Sequence, residues 1–207
     1  VREIILVHIP KNAGRAIQEA LGLEWWQHDT ASRVRARVGE KRWRAALKIA
    51  CVRNPYDRAV SWFYYHKFSS IPFPQKETKR LMNQFETPSD WVLAGMPHIW
   101  EHRQAHIQAS YLDEKIDLLC RSESLQADID RVCDAAGRSR VQMVRTNAAP
   151  GRRSRDWRAE LTPEAIQAVS EICKEDFTKF GYPLMASMPL PWQGMRCRLL
   201  LNKGKYE

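Results

Sequence analysis

Ile4-Ile-Leu-Val-His-Ile-Pro-Lys-Asn-Ala-Gly14 and Leu47-Lys-Ile-Ala-Cys-Val-Arg-Asn-Pro-Tyr-Asp-Arg-Ala-Val-Ser61 decide the fold. Each opens on a short apolar run rich in branched residues, which predicts a buried strand rather than a helix. Each then crosses a polar loop into a helix. The first predicts a strand over 3–8 and a helix from about Gly14 to Leu21. The second predicts a strand over Leu47–Val52 and a helix to about Phe68, with Asn54 as cap and Pro55 in its first turn.

Working outward, residues 30–47 have helical composition broken at Gly39, and Ser69 to Pro74 predict a loop. Residues 75–112 are helical in pieces. Ile116 to Cys120 predicts a third strand. Leu125, Ile129, Val132 and Cys133 line one face of a helix that Gly137 stops, and Val141 to Val144 is a candidate fourth strand. A basic loop covers Arg145 to Arg158. The last helix is capped by Thr162, starts at Pro163, carries Ile166, Val169, Ile172, Cys173 and Phe177 on one face, and ends at Gly181. Strands alternating with helices predict an α/β fold, a parallel sheet covered on both faces.

The 207 residues suit a single domain over 1–207, with a core at about 3–182 and a tail, 183–207, of no clear pattern. A chain 44% hydrophobic and 28% charged has the composition of a soluble globular protein. No apolar stretch is long enough to span a membrane and no signal peptide is visible, so the expected location is cytoplasmic. The chain opens on Val1 rather than Met, which leaves room for an upstream anchor. Cys51, Cys120, Cys133, Cys173 and Cys197 contain no C-x-x-C and read as buried free thiols in a reducing compartment. A net charge of +9 suits an anionic ligand without choosing one.

A strand-to-helix junction is a natural anion site, because backbone N–H groups and the helix dipole point outward there. In the first junction Lys11 adds a mobile cation, Asn12 and Ala13 carry the turn, and Gly14 permits close backbone approach. Arg15 adds a fork of donors, beside Ala16. In the second, Arg53 ends the strand and Ser61 follows two turns into the helix, a spacing that lets both grip one phosphate. The plain alternative pairs Arg53 with Asp57 and leaves Ser61 as a packing residue. No G-x-x-x-x-G-K-[ST] and no G-x-G-x-x-G occurs, which argues against kinases, NTPases and dinucleotide enzymes.

Taken together, the H-I-P-K-x-A-G loop and V-R-N-P-Y-x-R-x-V-S resemble the sulfotransferases that use 3′-phosphoadenosine-5′-phosphosulfate (PAPS), in particular the carbohydrate-type, family 2-like branch. Gln108-Ala-Ser-Tyr-Leu112, Arg121-Ser-Glu-Ser-Leu125, Asn147 and Asp176-Phe-x-x-Phe-Gly-Tyr182 continue the resemblance in order. It implies a three-layer fold related to P-loop kinases, with about four to five parallel strands. It also implies that residues 11–16 bind the 5′-phosphosulfate and that Arg53 and Ser61 bind the 3′-phosphate. Arg121, Arg152 and Arg153 are added as donor-binding candidates. Arg15 and Ala16 depart from the Thr and Ser usual after the glycine.

The chemistry implied is in-line sulfuryl transfer from PAPS, leaving PAP, to a hydroxyl on a glycan or else on a small alcohol, phenol or lipid, with no metal and no nucleic acid. Lys11 would stabilise the transferring group. His28, in Gln27-His-Asp-Thr-Ala31, is the candidate base. Asp29 reads as cap of the following helix, His8 as a support beneath the loop, and Glu123 and Asp113 as alternative carboxylate bases. Trp25, Trp26, Trp100 and Trp157 are candidate sugar platforms. Two other classes compete. His98-Ile-Trp-Glu-His102, with His106 one turn on, matches a zinc-hydrolase pattern. Arginines at 33, 35, 37, 42 and 44, and at 145, 152, 153, 155 and 158, could serve a nucleic-acid or acidic-glycan binder.

Overall fold

The computed structural model describes residues 1–24, 26–68, 75–97, 106–144 and 151–185. Strands β1 (Ile4–Val7), β2 (Leu47–Val52) and β3 (Leu118–Arg121) form a parallel sheet in the order β1-β2-β3, in register at Ile4 with Leu47 and at Cys51 with Cys120. The helices are α1 (Gly14–Leu21), α2 (Ala31–Val38), α3 (Glu40–Ala45), α4 (Pro55–Phe68), α5 (Gln75–Met82), α6 (Pro88–Leu93), α7 (Leu125–Ala136), α8 (Pro163–Ile172) and α9 (Lys174–Phe180). Asn54 caps α4 as expected, its Oδ1 accepting from Tyr56 N at 3.0 Å. Gly39, at φ 83°, separates α2 from α3 in a conformation that glycine adopts without strain.

Strand side chains alternate between two buried layers, as the two-residue period requires. Ile4, Leu6, Leu47, Ile49 and Cys51 pack on Ile17 and Leu21 of α1 and on Ile129, Val132 and Cys133 of α7. Ile5, Val7, Ala50 and Val52 face the larger layer with Tyr56, Val60 and Phe63 of α4, Trp91 of α6, and Ala165 and Val169 of α8. Each fully buried aliphatic side chain contributes roughly 1.5–3 kcal/mol, so this two-sided burial is what fixes the strand ends from which the loops spring.

Three expectations need correction. Residues 141–144 form no strand, and the sheet among the described residues has three strands rather than four or five. The side chain of Gln126 takes the place of a ladder there, donating to Val141 O at 2.9 Å and accepting from Met143 N at 2.8 Å. The helix expected over 163–180 is two, because Cys173 (φ −101°, ψ 21°) ends α8 and starts α9. That bend turns Asp176 inward while Phe177 meets Tyr56, ring centroids 4.8 Å apart. The third strand starts at Leu118, not Ile116: Asp117 N still donates to Lys48 O at 2.9 Å, but Lys48 N donates at 2.9 Å to the Asp117 side chain, whose Oδ2 also pairs with Lys48 Nζ at 2.9 Å. Cys51, Cys120, Cys133 and Cys173 are buried free thiols, and Cys197 lies outside the described residues.

Asp117 therefore joins β3 to β2. Burial alone would raise its carboxyl, but the bonds from Lys48 outweigh this and hold it below the usual range. A carboxyl lowered in the folded state contributes stability above its unfolded value and loses it as pH falls through the folded one. Asp117→Ala is expected to cost about 2 kcal/mol in urea denaturation at pH 7, discounted for partial exposure. The gap between variant and native should narrow below about pH 4.

Candidate active site

The two loops meet at the C-terminal edge of the sheet, where α/β proteins place ligands. Lys11 (φ 68°) and Ala13 (φ 61°) are both left-handed. Such strain in residues with a Cβ persists only where the surrounding structure over-determines the turn. Ala13 is the N-cap of α1 and has no side chain to cap it, so the first N–H groups of the helix are left to an outside acceptor. Gly14 is needed for another reason than the expected ligand approach: a Cβ there would lie 2.1 Å from the His8 ring. His8 is thus the support beneath the loop, its pKa lowered to about 3 by burial and then by His28 and Arg15, which keeps the ring neutral.

Lys11 is hemmed in by cations. Burial first, then Arg53 and Arg58, lower its pKa to about 7, while the Tyr65 ring 4.0 Å from Nζ favours the charged form. Arg53 donates from Nη1 to Lys11 O at 3.2 Å and from Nε to Asp57 Oδ2 at 2.6 Å. The second segment is thereby docked on the first. Ser61 is buried on α4, eight residues after Arg53 in the chain.

A buried polar brace holds both loops. Gln108 Oε1 accepts from Asn12 Nδ2 at 2.7 Å and Arg53 N at 2.9 Å, and its Nε2 donates to Arg53 O at 2.9 Å. Asp176 accepts from Gln108 N at 2.9 Å and Ala109 N at 2.8 Å. Asn12 Nδ2 also donates to Cys51 O at 2.9 Å, so the Asn12 amide faces the protein, and the residue is buried. Arg58, fully enclosed, donates to Pro10 O at 3.1 Å and His106 O at 2.6 Å. No role for Arg58 is legible in the sequence, where Gln108 and Asp176 stand only as letters of the motifs. Polar residues predicted inside apolar helices were the one available signal.

His28 is brought to the loop, half-buried, with its ring centroid 4.6 Å from that of His8. Its Nδ1 lies 3.3 Å from His8 O. A carbonyl only accepts, so Nδ1 carries the proton and Nε2 the lone pair. Burial is the main cause that lowers its pKa, and Arg58 and Lys11 add to it. Asp29 does not cap α2: Thr30 does, and Asp29 pairs with Arg37 at 2.7 Å. Asp113 is held by Ser32 N and Oγ, and Glu123 by Asn54 N and the Tyr182 hydroxyl. Arg152 reaches the site, Nη2 bonding Asp57 Oδ1 at 2.6 Å. Arg153 is exposed. Arg15 is exposed and pairs with Glu19 at 3.8 Å, and Ala16 is half-buried. Arg121 turns to the Phe180 carbonyl and the Tyr182 ring. Trp157 is buried against Tyr56, ring centroids 4.5 Å apart, and Trp26 sits beside Arg42.

The arginines of α2 and α3 are largely spoken for: Arg35 by Glu40 and Glu114, Arg42 by Glu3 and Glu24, Arg44 by Glu40. That disperses the expected basic patch. His98, His102, Trp25, Trp100, Arg145 and Asn147 lie outside the described residues. A family model described as "Sulfotransferase family" matches residues 3–183. The chain belongs to the sulfotransferase family. No curated protein and no solved structure gives a significant match. The match to the sulfotransferase family spans both loops, the brace and α9.

Two outcomes follow from this sulfotransferase's loop geometry. Gly14→Ala, favourable for helix formation by about 1 kcal/mol, is instead expected to destabilise by about 1–3 kcal/mol in urea unfolding because its Cβ meets His8. Gln108→Ala is expected to cost about 3 kcal/mol by the same measurement, since it leaves the Asn12 amide only the Cys51 carbonyl and strips both Gln108 bonds from the Arg53 backbone.

Proposed function

We propose that this sulfotransferase takes the sulfuryl group from PAPS and delivers it to a hydroxyl, with a glycan as the first choice of acceptor. The observation that carries the reading is the docking of Arg53 on the Lys11 carbonyl beside an uncapped α1. Backbone N–H groups, Lys11, Arg53 and Arg152 make a donor lining at one sheet edge, chemistry that fits a phosphosulfate and a second phosphate. The two-sided parallel sheet suits kinship with P-loop kinases.

In this reading the α1 N-terminus and Lys11 receive the 5′-phosphosulfate, and Arg53, Ser61 and Arg152 the 3′-phosphate. The acceptor oxygen bonds to sulfur as the bond from sulfur to the 5′-phosphate oxygen breaks. His28 Nε2 takes the acceptor proton. Lys11 offsets the charge that grows on the leaving phosphate. The glycan preference rests on the branch resembled, and the small-alcohol, phenol or lipid acceptor is the other reading of the same chemistry.

Calorimetry tests the donor. The native chain should bind PAP, and Lys11→Ala or Arg53→Ala should weaken this by about a hundredfold, in line with charge-assisted bonds of 1.5–3 kcal/mol each. Absence of PAP binding by the native chain overturns the reading. Binding an anion raises the pKa of Lys11 from about 7, so complex formation at pH 8 should take up a proton, seen as a dependence of binding heat on buffer. Transfer of radiolabelled sulfate to a panel of glycans and small alcohols identifies the acceptor class. His28→Ala should lower kcat about 10²–10⁴-fold while PAP affinity changes little.

A further inference from the structure

Asp57 stands in the first turn of α4, four residues from Arg53 on one side and from Ser61 on the other. Its Oδ2 accepts from Arg53 Nε and its Oδ1 from Arg152 Nη2, each at 2.6 Å, the second partner lying 95 residues from Asp57 in the chain. The side chains of Arg53, Asp57 and Arg152 are 18%, 19% and 14% exposed, so this is a mostly desolvated triad and not a surface pair. The carboxylate does not exhaust either guanidinium. Arg53 uses Nε on Asp57 and Nη1 on Lys11 O. Arg152 uses Nε on Ser154 O and Nη2 on Asp57 and Arg155 O. Arg53 Nη2 and Arg152 Nη1 make no hydrogen bond among the described residues.

We propose that Asp57 is a positioning residue that yokes Arg53 to Arg152, so that their remaining N–H edges grip the 3′-phosphate of the donor as one unit. The inference rests on the PAPS reading above. Two guanidiniums side by side repel, and each has large rotamer freedom to lose on binding. A shared carboxylate removes the repulsion and fixes both forks before the ligand arrives, which is preorganisation. The carboxylate also repels a phosphate. Its two oxygens are already neutralised by two cations, and Arg58 keeps the surroundings positive, so preorganisation outweighs that repulsion. The segment bearing Arg152 is anchored independently, by Ser154 N on Glu160 and by Trp157 on Tyr56, so loss of Asp57 frees the side chain rather than the loop.

The test compares PAP with 5′-AMP, which differ only in the 3′-phosphate. Calorimetric affinities are measured for the native protein and for Asp57→Ala, Asp57→Asn, Arg152→Ala and the Asp57→Ala/Arg152→Ala double variant. The native protein should prefer PAP. Asp57→Ala should lose about tenfold or more of that preference while its affinity for 5′-AMP stays within about twofold, a change of about 1.4 kcal/mol confined to the 3′-phosphate. Arg152→Ala should lose a similar amount and the double variant little more, because the two act through one unit. Asp57→Asn keeps the shape if the alanine variant does not fold, and should fall in the same direction. An undiminished or increased PAP preference in either Asp57 variant, an equal loss for both nucleotides, or additive losses in the double variant overturns the yoke while leaving the PAPS reading intact. A native protein that binds neither nucleotide overturns that reading and the yoke with it.

Discussion

Asp176 is fully enclosed, and most of the site's geometry descends from where its two oxygens point. Burying a carboxylate is costly unless nearly every lone pair is satisfied. Here Gln108 N, Gln108 Nε2 and Ala109 N donate to it, and Arg58 lies near enough to offset its charge. Burial still raises its pKa, against the bonds from Gln108 and Ala109 and the charge of Arg58. With its backbone fixed by Asp176, Gln108 can hold Asn12 in the first loop and the backbone of Arg53 in the second. One carboxylate near the end of the described chain thus sets the spacing between loops that are encoded in its first third.

That arrangement explains the electrostatics of the edge. Arg58 is fixed by main-chain carbonyls and Arg53 by one carbonyl and by Asp57, and both press on Lys11. The loop itself is left-handed at Lys11 and Ala13. Like charges held together and strained backbone both oppose folding, and they persist because the sheet, α4 and the brace over-determine the loop. Such costs are expected where a protein is shaped to receive an anion rather than to be as stable as it could be. Among the described residues of this edge, Asp57 is the carboxylate that bonds two arginines, Arg53 and Arg152.

Much of this was legible in the sequence, and the misses have a common cause. α1, β2 and α4 have the boundaries expected from short-range pattern: the helix from Gly14, the apolar run Leu47–Val52 that Arg53 ends, and the Asn54-Pro55 pair that opens the third. The fourth strand and the unbroken final helix failed because each depends on a distant partner: Gln126 for one, Gln108 for the other. Apolar alternation at Val141 and Met143 describes a half-buried extended segment equally well with or without a ladder. A continuous apolar stripe does not show that Asp176 must turn inward.

By itself the sequence determined the class of the fold, the two strand-to-helix loops, the capping of α4 and α8, and the family, since these rest on short-range pattern and ordered motifs. Tertiary structure decided which polar groups are spent inside and which face the edge. It sent the Asn12 amide inward, set His28 on the His8 carbonyl with Nε2 as its lone-pair nitrogen, and brought Arg152 to Asp57 across 95 residues. The physical reason is that a hydrogen bond fixes direction, while composition and periodicity fix only which face of an element is buried.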